Sequence, residues 1–396
     1  MKRVALLLDN TLTIDRRALL EMESLCSLDI ELHLFCMKEK DFPETETRNN
    51  LFIHRIFTSD IYLFRNNNSL QKHCTEICKK NFDILHCHDR VMLHLGTIIK
   101  KKQPSAKLIY ESRELFHQWP LHVSTPGFVL WLKSWIVRKL EVRKEKADGR
   151  KADFLITVNQ SIADILTKYF KLKTNAVVTR NIPRYEAVIK RSDYLRNKFA
   201  IDTENKIVVY IGGHLYKNSL RMEQAIEEIV SVPNISVVII TGDDSHSQWF
   251  KQWVEENIWS NVFFHPLIPI NQITSVLSGC DAGIVSAWNK KDISYWLALD
   301  NKLFSYIMAE IPILATAQPE YKKIVEEYNI GVCVDPEIPG AFTKGLKQIL
   351  AQPENFHSEL VSAKQKLNWK QEQKNLLDLY NLIITNPSLW RYDSHH

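Results

Sequence analysis

The sequence is poor in glycine and proline and has no long hydrophobic segment. Its 396 residues include 11 glycines and 14 prolines, while 45% are hydrophobic and 24% are charged. This composition excludes collagen-like, low-complexity and intrinsically disordered chains, which are rich in glycine or proline or short of apolar residues. A chain of this length can bury a substantial core and is long enough for two or three domains.

The sequence also lacks a membrane-spanning segment and an even set of cysteines. A transmembrane helix needs roughly 18 or more apolar residues, and the nearest candidate, FVLWLKSWIV (residues 128–137), is broken by Lys133. The apolar run from Val4 to Leu8 ends at Asp9, which is too short for a signal peptide and predicts a first core strand. The seven cysteines are scattered, so we expect no disulfide framework and a cytoplasmic protein.

The formal net charge of +5 conceals an asymmetry along the chain. Residues 1–200 contain 35 Lys and Arg against 23 Asp and Glu, whereas the remainder contains 16 against 23. A basic first half favours an anionic partner on that side, such as a membrane surface, a lipid phosphate or a charged glycan. Nucleic acid is not expected, because the basic residues are spread through the chain and are not concentrated in an arm with interleaved aromatics.

Short apolar runs alternate with helical patterns through most of the chain, which predicts parallel sheets covered by helices. The alternation stops at residues 181–205, which are highly charged and show no strand pattern, and it resumes with KIVVYIGG. We therefore predict an α/β fold of two Rossmann-like doubly wound domains facing a cleft. The predicted domains are residues 1–185 and 200–372, with ligands at the carboxyl ends of the strands.

Several common catalytic signatures are absent. We find no Ser-His-Asp order, P-loop, HExxH or GxGxxG pattern. Residues 72–90 are rich in His and Cys but lack the paired CxxC motifs of a zinc site, so no metal is expected. His86, His88 and Asp89 are better explained as part of a strand-end loop.

A pair of glycines, Gly212 and Gly213, follows a predicted strand and precedes a predicted helix. Glycine lets backbone N–H groups approach a phosphate, and the N-terminus of the following helix favours negative charge. The same segment offers His214, Lys217 and Arg221 as cationic contacts. The alternative is an ordinary tight turn.

Asn301 and Lys302 stand at the start of a later predicted helix. Because strand ends of one parallel sheet meet at one edge, these residues predict the other side of the same anion site. The alternative for Lys302 is a solvated lysine.

Two further segments of the first half suggest a function. LIYESRELFHQW (residues 108–119) ends a strand with a cluster of ionisable groups, which is typical of a site. Alternatively, Arg113 in this cluster is held in a structural ion pair by Glu111 or Glu114. FVLWLKSWIVRKLEVRKEK (residues 128–146) has aromatic and basic faces, which is typical either of a helix on an anionic membrane or of a packing helix with a solvated basic face.

Eight segments occur in the order found in one enzyme family. They are DRRALLEMESL (15–25), FDILHCHD (82–89), LIYESRELF (108–116), KADFLITVNQSIADIL (151–166), VVTRNIP (177–183), VVYIGGHL (208–215), DNKLFSYIMAEIPILAT (300–316) and PEYKKIVEEYNIGVCVDP (319–336). Through them nearly the whole chain resembles the retaining glycosyltransferases of the GT-B fold, family 4.

The resemblance implies transfer of a sugar from a nucleotide-sugar donor, bound by the C-terminal domain, to a glycan or lipid-linked acceptor, bound by the N-terminal domain. It implies no metal or other cofactor, a role in surface polysaccharide or lipopolysaccharide assembly, and a location peripheral to the inner face of the membrane. It also implies that a helix near residues 375–396 crosses back onto the first domain. The residues predicted to be catalytic are His88, Arg113 and Glu114, and those predicted to bind the donor are Gly212, Gly213, His214, Lys217, Arg221, Asn301, Lys302 and Ser305.

The sequence departs from the family pattern at several of these positions. Relatives often carry two glutamates, the second of which holds the donor ribose, and these positions are Leu297 and Ser305 here. Asp300 replaces a proline, Glu310 a glycine and Arg113 a histidine. An alternative interpretation is therefore a catalytically degenerate GT-B protein that acts as a partner subunit or glycan-binding module. A nucleotide-sugar epimerase on the same fold is a third interpretation.

Overall fold

The computed structural model describes residues 1–386 except 14, 63–66, 120, 122–126, 188–189, 214 and 216–219. The chain divides into two units. One comprises Met1–Arg180 together with the residues from Glu372 on, and the other comprises Asn181–Gln371.

The described part of the first unit contains an eight-stranded sheet in the order β3-β4-β2-β1-β5-β6-β7-β8. All neighbouring strands are parallel except β3 and β4, which are antiparallel. The strands are β1 Lys2–Leu7, β2 Ile30–Met37, β3 Thr45–Arg48, β4 Leu51–Phe57, β5 Ile84–His88, β6 Lys107–Ser112, β7 Phe154–Thr157 and β8 Val177–Val178. The helices that follow these strands are α1 Arg16–Leu25, α2 Asn67–Ile77, α3 Asp89–Lys102, α4 Phe128–Gly149 and α5 Gln160–Phe170.

The second unit contains a six-stranded, fully parallel sheet in the order β11-β10-β9-β12-β13-β14. Its strands are β9 Lys206–Gly212, β10 Ile235–Thr241, β11 Val262–His265, β12 Ala282–Val285, β13 Ile313–Thr316 and β14 Gly331–Val334. The remaining helices are α6 Tyr194–Lys198, α7 Met222–Val230, α8 Ser245–Glu256, α9 Ile273–Leu277, α10 Ile293–Trp296, α11 Asn301–Met308, α12 Pro319–Glu327, α13 Ala341–Ala351, α14 Glu354–Lys366 and α15 Trp369–Thr385.

The predicted α/β class with two parallel-dominated sheets is confirmed. Strands β9 and β10, in the second sheet, are buried along nearly their whole length, as is typical of a parallel sheet covered by helices. None of the described helices is both long and apolar enough to cross a bilayer.

The end of the chain is attached to the first unit by buried polar contacts. Glu372 accepts a hydrogen bond from the backbone N–H of Arg180 at 2.7 Å and one from its guanidinium at 2.7 Å. Further along α15, the fully buried Tyr380 places its hydroxyl 2.9 Å from Nδ1 of His86. The last helix therefore helps to form the environment of the β5 strand end.

Candidate active site

A buried network of charged side chains lies at the carboxyl ends of β5 and β6. Arg17, on α1, is 1% exposed, and its Nε lies 2.6 Å from Oε1 of Glu111 and 2.9 Å from Oε1 of Glu21. His86 connects Glu111 to Tyr380, with Nε2 3.2 Å from Oε2 of Glu111. A buried charge is tolerated only when it is paired and hydrogen-bonded, and this network meets that condition for Glu111.

The two carboxyl groups of this network have opposite pKa shifts. Burial and the charge of Glu111 raise the pKa of Glu21 well above its usual value. Burial would also raise the pKa of Glu111, but Arg17 and the neighbouring histidines hold it well below the usual value. The surroundings thus favour the ionised form of Glu111, the partner of Arg17, and the protonated form of Glu21.

Glu21, His86, His88 and Glu111 offer ligand atoms that all lie within 4.8 Å of one another, so we tested whether the group fits a metal. Nδ1 of His88 lies 2.7 Å from the guanidinium of Arg113. Arginine can only donate, so Nδ1 accepts and the proton is on Nε2, the atom that faces Glu21. The only lone pair of the neutral His88 ring is thus on Nδ1, which lies 3.4 Å from Oε1 of Glu111 but already accepts from Arg113. The Arg17 guanidinium also lies against both carboxyl groups. The donor set does not fit a metal ion.

The predicted catalytic residues occupy different environments at this strand edge. Arg113 is 22% exposed and donates to Oδ2 of Asp15 at 2.7 Å. His88 is fully buried behind Arg113, and burial lowers its pKa to about 3, so it is neutral. Glu114 is exposed. The sequence suggested Glu111 or Glu114 as the ion-pair partner of Arg113, whereas the nearest carboxylate is that of Asp15, with Glu111 at 3.5 Å.

Two aspartates that are not among the predicted catalytic residues lie at the same edge. Asp9 follows β1 and Asp89 follows β5, and these strands are paired in register from Val4–Ile84 to Leu7–Cys87. Burial and the charge of Asp89 raise the pKa of Asp9 to about 7. The signal available in the sequence was the position of each aspartate directly after a buried strand.

In the second unit, the glycine turn and the start of α11 meet at one aromatic side chain. Nζ of Lys302 lies 5.3 Å from the ring centroid of Tyr210, on β9. A Cβ at Gly212 would lie 2.5 Å from the hydroxyl oxygen of Tyr210, so only glycine fits there. The Tyr306 hydroxyl, on α11, accepts a hydrogen bond from the backbone N–H of Ile211 at 3.1 Å. The predicted anion-binding elements are therefore neighbours in this unit.

The alternative of a solvated Lys302 is wrong, because the lysine is largely buried and pairs with Asp300. Oδ2 of Asp300 lies 2.6 Å from Nζ of Lys302, and the two side chains are 28% and 14% exposed. Burial would lower the pKa of Lys302, but Asp300 and the Tyr210 ring hold it above its usual value. Asp300 directly precedes α11, yet its side chain caps none of the helix's described N–H groups.

The structure describes four of the other residues predicted to bind the donor, namely Gly213, Arg221, Asn301 and Ser305. Asn301 is exposed at the first position of α11, and the hydroxyl of the buried Ser305 donates to its carbonyl oxygen at 3.3 Å. Gly213 is open, with no described atom within 4 Å of the position of an added Cβ. Arg221, before α7, lines a surface pocket with Trp288, Lys290 and Glu337 among others. The predicted contacts His214 and Lys217 lie outside the described residues.

Glu310 has a structural role at the other end of α11. It has a φ of +58°, which explains why a glycine is usual there. Its Oε1 lies 2.6 Å from Nζ of Lys364, which is 1% exposed and also donates to the carbonyl oxygen of Met308 at 3.1 Å. The ion pair therefore joins α11 to α14.

The first half of α4 exposes large apolar side chains. Phe128 and Val129 are 75% and 76% exposed, and Trp131 and Trp135 are 44% and 37% exposed. In the described chain, eight such residues lie between Phe128 and Leu140, and basic residues follow along the same helix. Packing inside the described chain does not account for this apolar surface.

Comparison with known proteins agrees with these observations. The Glycosyltransferase Family 4 model matches residues 16–181, and the Glycosyl transferases group 1 model matches residues 192–367. No curated protein sequence matches the chain significantly.

Solved structures similar to this chain share its fold at low sequence identity. Sucrose-phosphate synthase from Thermosynechococcus elongatus is 15% identical, with a TM-score of 0.73 over 97% of this chain and 99% of that one. HepE from Anabaena, solved in complex with UDP-glucose, is 13% identical, with a TM-score of 0.71 over 96% of this chain and 100% of that one. WaaG, described as a glycosyltransferase involved in lipopolysaccharide biosynthesis, is 14% identical, with a TM-score of 0.66 over 98% and 100%. The two family models together span most of the chain. The protein is therefore a glycosyltransferase and belongs to the family 4 enzymes of the GT-B fold.

Proposed function

We propose that this glycosyltransferase transfers a sugar from a nucleotide-sugar donor to a glycan or lipid-linked acceptor, with retention at the anomeric carbon, in surface polysaccharide or lipopolysaccharide assembly. The observation that carries the donor part is the arrangement of Lys302, the N-terminus of α11 and the Gly212–Gly213 turn around Tyr210. A lysine and a helix N-terminus beside an open glycine turn provide the charge and the N–H groups that a diphosphate requires. The description of HepE in complex with UDP-glucose supports the donor class.

The proposed reaction needs fixed positive charge more than it needs a base. The bond between the anomeric carbon and the diphosphate oxygen breaks, the acceptor oxygen bonds to that carbon, and the acceptor proton passes to the departing diphosphate. The helix N-terminus and Lys302 stabilise the negative charge that develops on the diphosphate. No metal is part of this proposal.

On the acceptor side we assign the contacts to the first unit. Arg113 and Asp9 are partly exposed at the strand edge and can bind hydroxyl or phosphate groups of an acceptor. His88, which is buried, acts as a positioning residue because its Nδ1 accepts from Arg113.

Replacing the lysine of the proposed donor site tests the donor assignment. Lys302→Met should weaken binding of UDP-glucose, or of whichever nucleotide sugar the wild type binds, by roughly tenfold, because it removes one charge-assisted contact to phosphate. Lys322→Met is the matched control, since Lys322 is 53% exposed on α12 of the same unit. Equal affinities of all three proteins in a calorimetric titration would place the donor elsewhere.

The same proposal includes attachment of the enzyme to an anionic membrane through α4. Trp131 and Trp135 are exposed beside basic residues of the helix, a combination that favours the interface of an anionic bilayer. The role given in the description of WaaG supports a membrane setting.

Vesicle sedimentation tests the membrane assignment. The double variant Trp131→Ala/Trp135→Ala should show a several-fold smaller fraction bound to phosphatidylcholine vesicles containing phosphatidylglycerol. The double variant Ile258→Ala/Ile338→Ala is the control, because these residues are 88% and 59% exposed in the second unit. Equal loss in both double variants, or no loss in either, would contradict the assignment.

A further inference from the structure

The ammonium group that the proposed donor site offers is already occupied by a carboxylate of the same chain. Nζ of Lys302 lies 2.6 Å from Oδ2 of Asp300, a distance typical of a charge-assisted hydrogen bond. Because the side chain of Lys302 is only 14% exposed, solvent screens this pair less than a surface pair. An anion that approaches Lys302 therefore meets a neutral pair instead of a free cation.

The position of Asp300 indicates that stabilising the helix end is not its role. Aspartate before a helix commonly accepts hydrogen bonds from the first N–H groups, but Asp300 makes none with the described residues of α11. Its carboxylate is directed to Lys302, and the first N–H groups of α11 keep their capacity to bind an anion. Asp300 thus affects the lysine without capping the helix.

A second ion pair, just beyond the C-terminal end of α11, provides a contrast. Glu310 and Lys364 are also 2.6 Å apart, but Lys364 is 1% exposed and joins two helices. The Asp300–Lys302 pair joins residues two positions apart, at the partly exposed start of α11. The Asp300 carboxylate also lies near the buried Tyr321 hydroxyl of α12. The ion pair itself links no two helices, so it can open when a stronger anion arrives.

We propose that Asp300 competes with the donor's diphosphate for Lys302 and thereby sets the affinity of the enzyme for nucleotide diphosphates. This inference rests on the donor site proposed above. A diphosphate must displace the Asp300 carboxylate to reach Lys302, and the carboxylate remains close enough to repel it. When the nucleoside diphosphate product leaves, Asp300 binds Lys302 again, which favours release.

Titration with inorganic pyrophosphate and with UDP tests the competition without knowledge of the sugar or the acceptor. Asp300→Asn keeps the shape of the side chain and removes its charge, and it should lower the Kd for both probes roughly tenfold. Glu326→Gln, whose side chain is 59% exposed on α12 of the same unit, is the matched control and should leave the Kd unchanged. A gain in affinity is informative because general damage to the fold would weaken binding, and thermal unfolding of each variant checks that it is folded.

A double-mutant cycle separates competition from simple repulsion. In a Lys302→Met background the lysine is absent. Asp300→Asn should therefore increase the affinity for pyrophosphate and UDP clearly less than it does in the wild-type background. An equal gain in both backgrounds would overturn competition for Lys302, and weaker binding by Asp300→Asn would show that Asp300 positions the lysine for the donor.

Failure of this inference and failure of the proposed donor site give different results. If the wild type binds pyrophosphate through Lys302 and Asp300→Asn binds it equally well, only the competition is overturned. If neither protein binds pyrophosphate, UDP, GDP or CMP, the proposed donor site is contradicted and both proposals fail.

Discussion

A buried glutamate on α4 predicts a pH-dependent stability that one substitution should remove. Glu145 is 3% exposed, and its Oε1 accepts a hydrogen bond from the Tyr110 hydroxyl at 3.0 Å. Its Oε2 is buried and has no hydrogen-bond partner among the described residues. Burial raises the pKa of Glu145 from 4.5 to about 7, while Tyr110, Arg90 and Arg138 oppose the increase.

The direction of the change in stability with pH depends on whether the folded or the unfolded state releases the Glu145 proton at the lower pH. Below pH 4.5 the carboxyl group of Glu145 is protonated in both states. Between pH 4.5 and 7 it ionises in the unfolded chain before it ionises in the folded one, so the folded state loses stability as the pH rises. A difference of about 2.5 pKa units corresponds to at most about 3 kcal/mol of unfolding free energy.

Glutamine cannot ionise, so Glu145→Gln should be more stable at pH 8, relative to the wild type, than at pH 4.5, by about 1–3 kcal/mol. Urea denaturation at the two pH values measures this change. Glu141→Gln is the control on the same helix. Glu141 pairs with Arg90 at 3.3 Å, so removing its charge should not increase the stability at pH 8 relative to the wild type. The same relative stability of Glu145→Gln at both pH values would refute the reasoning.

Two further substitutions test the buried charge network of the first unit and the glycine turn of the second. Arg17→Met should lower the free energy of unfolding by about 3–5 kcal/mol, because it leaves Glu111 buried and unpaired. Arg48→Met, at a pair whose arginine is 63% exposed, should cost at most about 1 kcal/mol, and equal losses in urea denaturation would contradict the assigned role of the buried network. Gly212→Ala should raise the Kd for UDP, because the new Cβ would displace Tyr210 from beneath the lysine; an unchanged Kd in calorimetric titration would separate this turn from the donor site.

The fold could be predicted from the sequence because its signals are local. A buried strand such as β1 or β10 is a short continuous apolar run, and the segments that follow have helical periodicity. The antiparallel strand β3 was missed, since its four residues, TETR, are polar, largely exposed and at the sheet edge. The short helix α6 was also missed, within residues 181–205, where the alternation of strands and helices stops.

The positions of the candidate site residues could be predicted, but their partners could not. The sequence shows that Arg113 follows the end of a strand and that Lys302 lies at the start of a helix. That Arg113 pairs with Asp15, 98 residues earlier in the chain, depends on the order of strands in the sheet. Nothing in the sequence around Arg17 indicates that its side chain is almost fully buried against Glu111, 94 residues away.

The Asp300–Lys302 pair shows a different limit. The two residues are close in the sequence, and aspartate before a helix would ordinarily be assigned as a cap. Which contact it makes depends on the direction of its side chain, which a residue pattern does not specify.

The most direct test of the central claim is a thermal-shift screen of the wild type, Lys302→Met and Lys322→Met with UDP-, GDP- and CMP-linked sugars. We predict that at least one nucleotide sugar raises the melting temperature of the wild type and of Lys322→Met, with a markedly smaller increase in Lys302→Met. If no nucleotide sugar stabilises the wild type, the proposed donor site is contradicted, and the interpretation as a catalytically degenerate partner or glycan-binding protein becomes the better one.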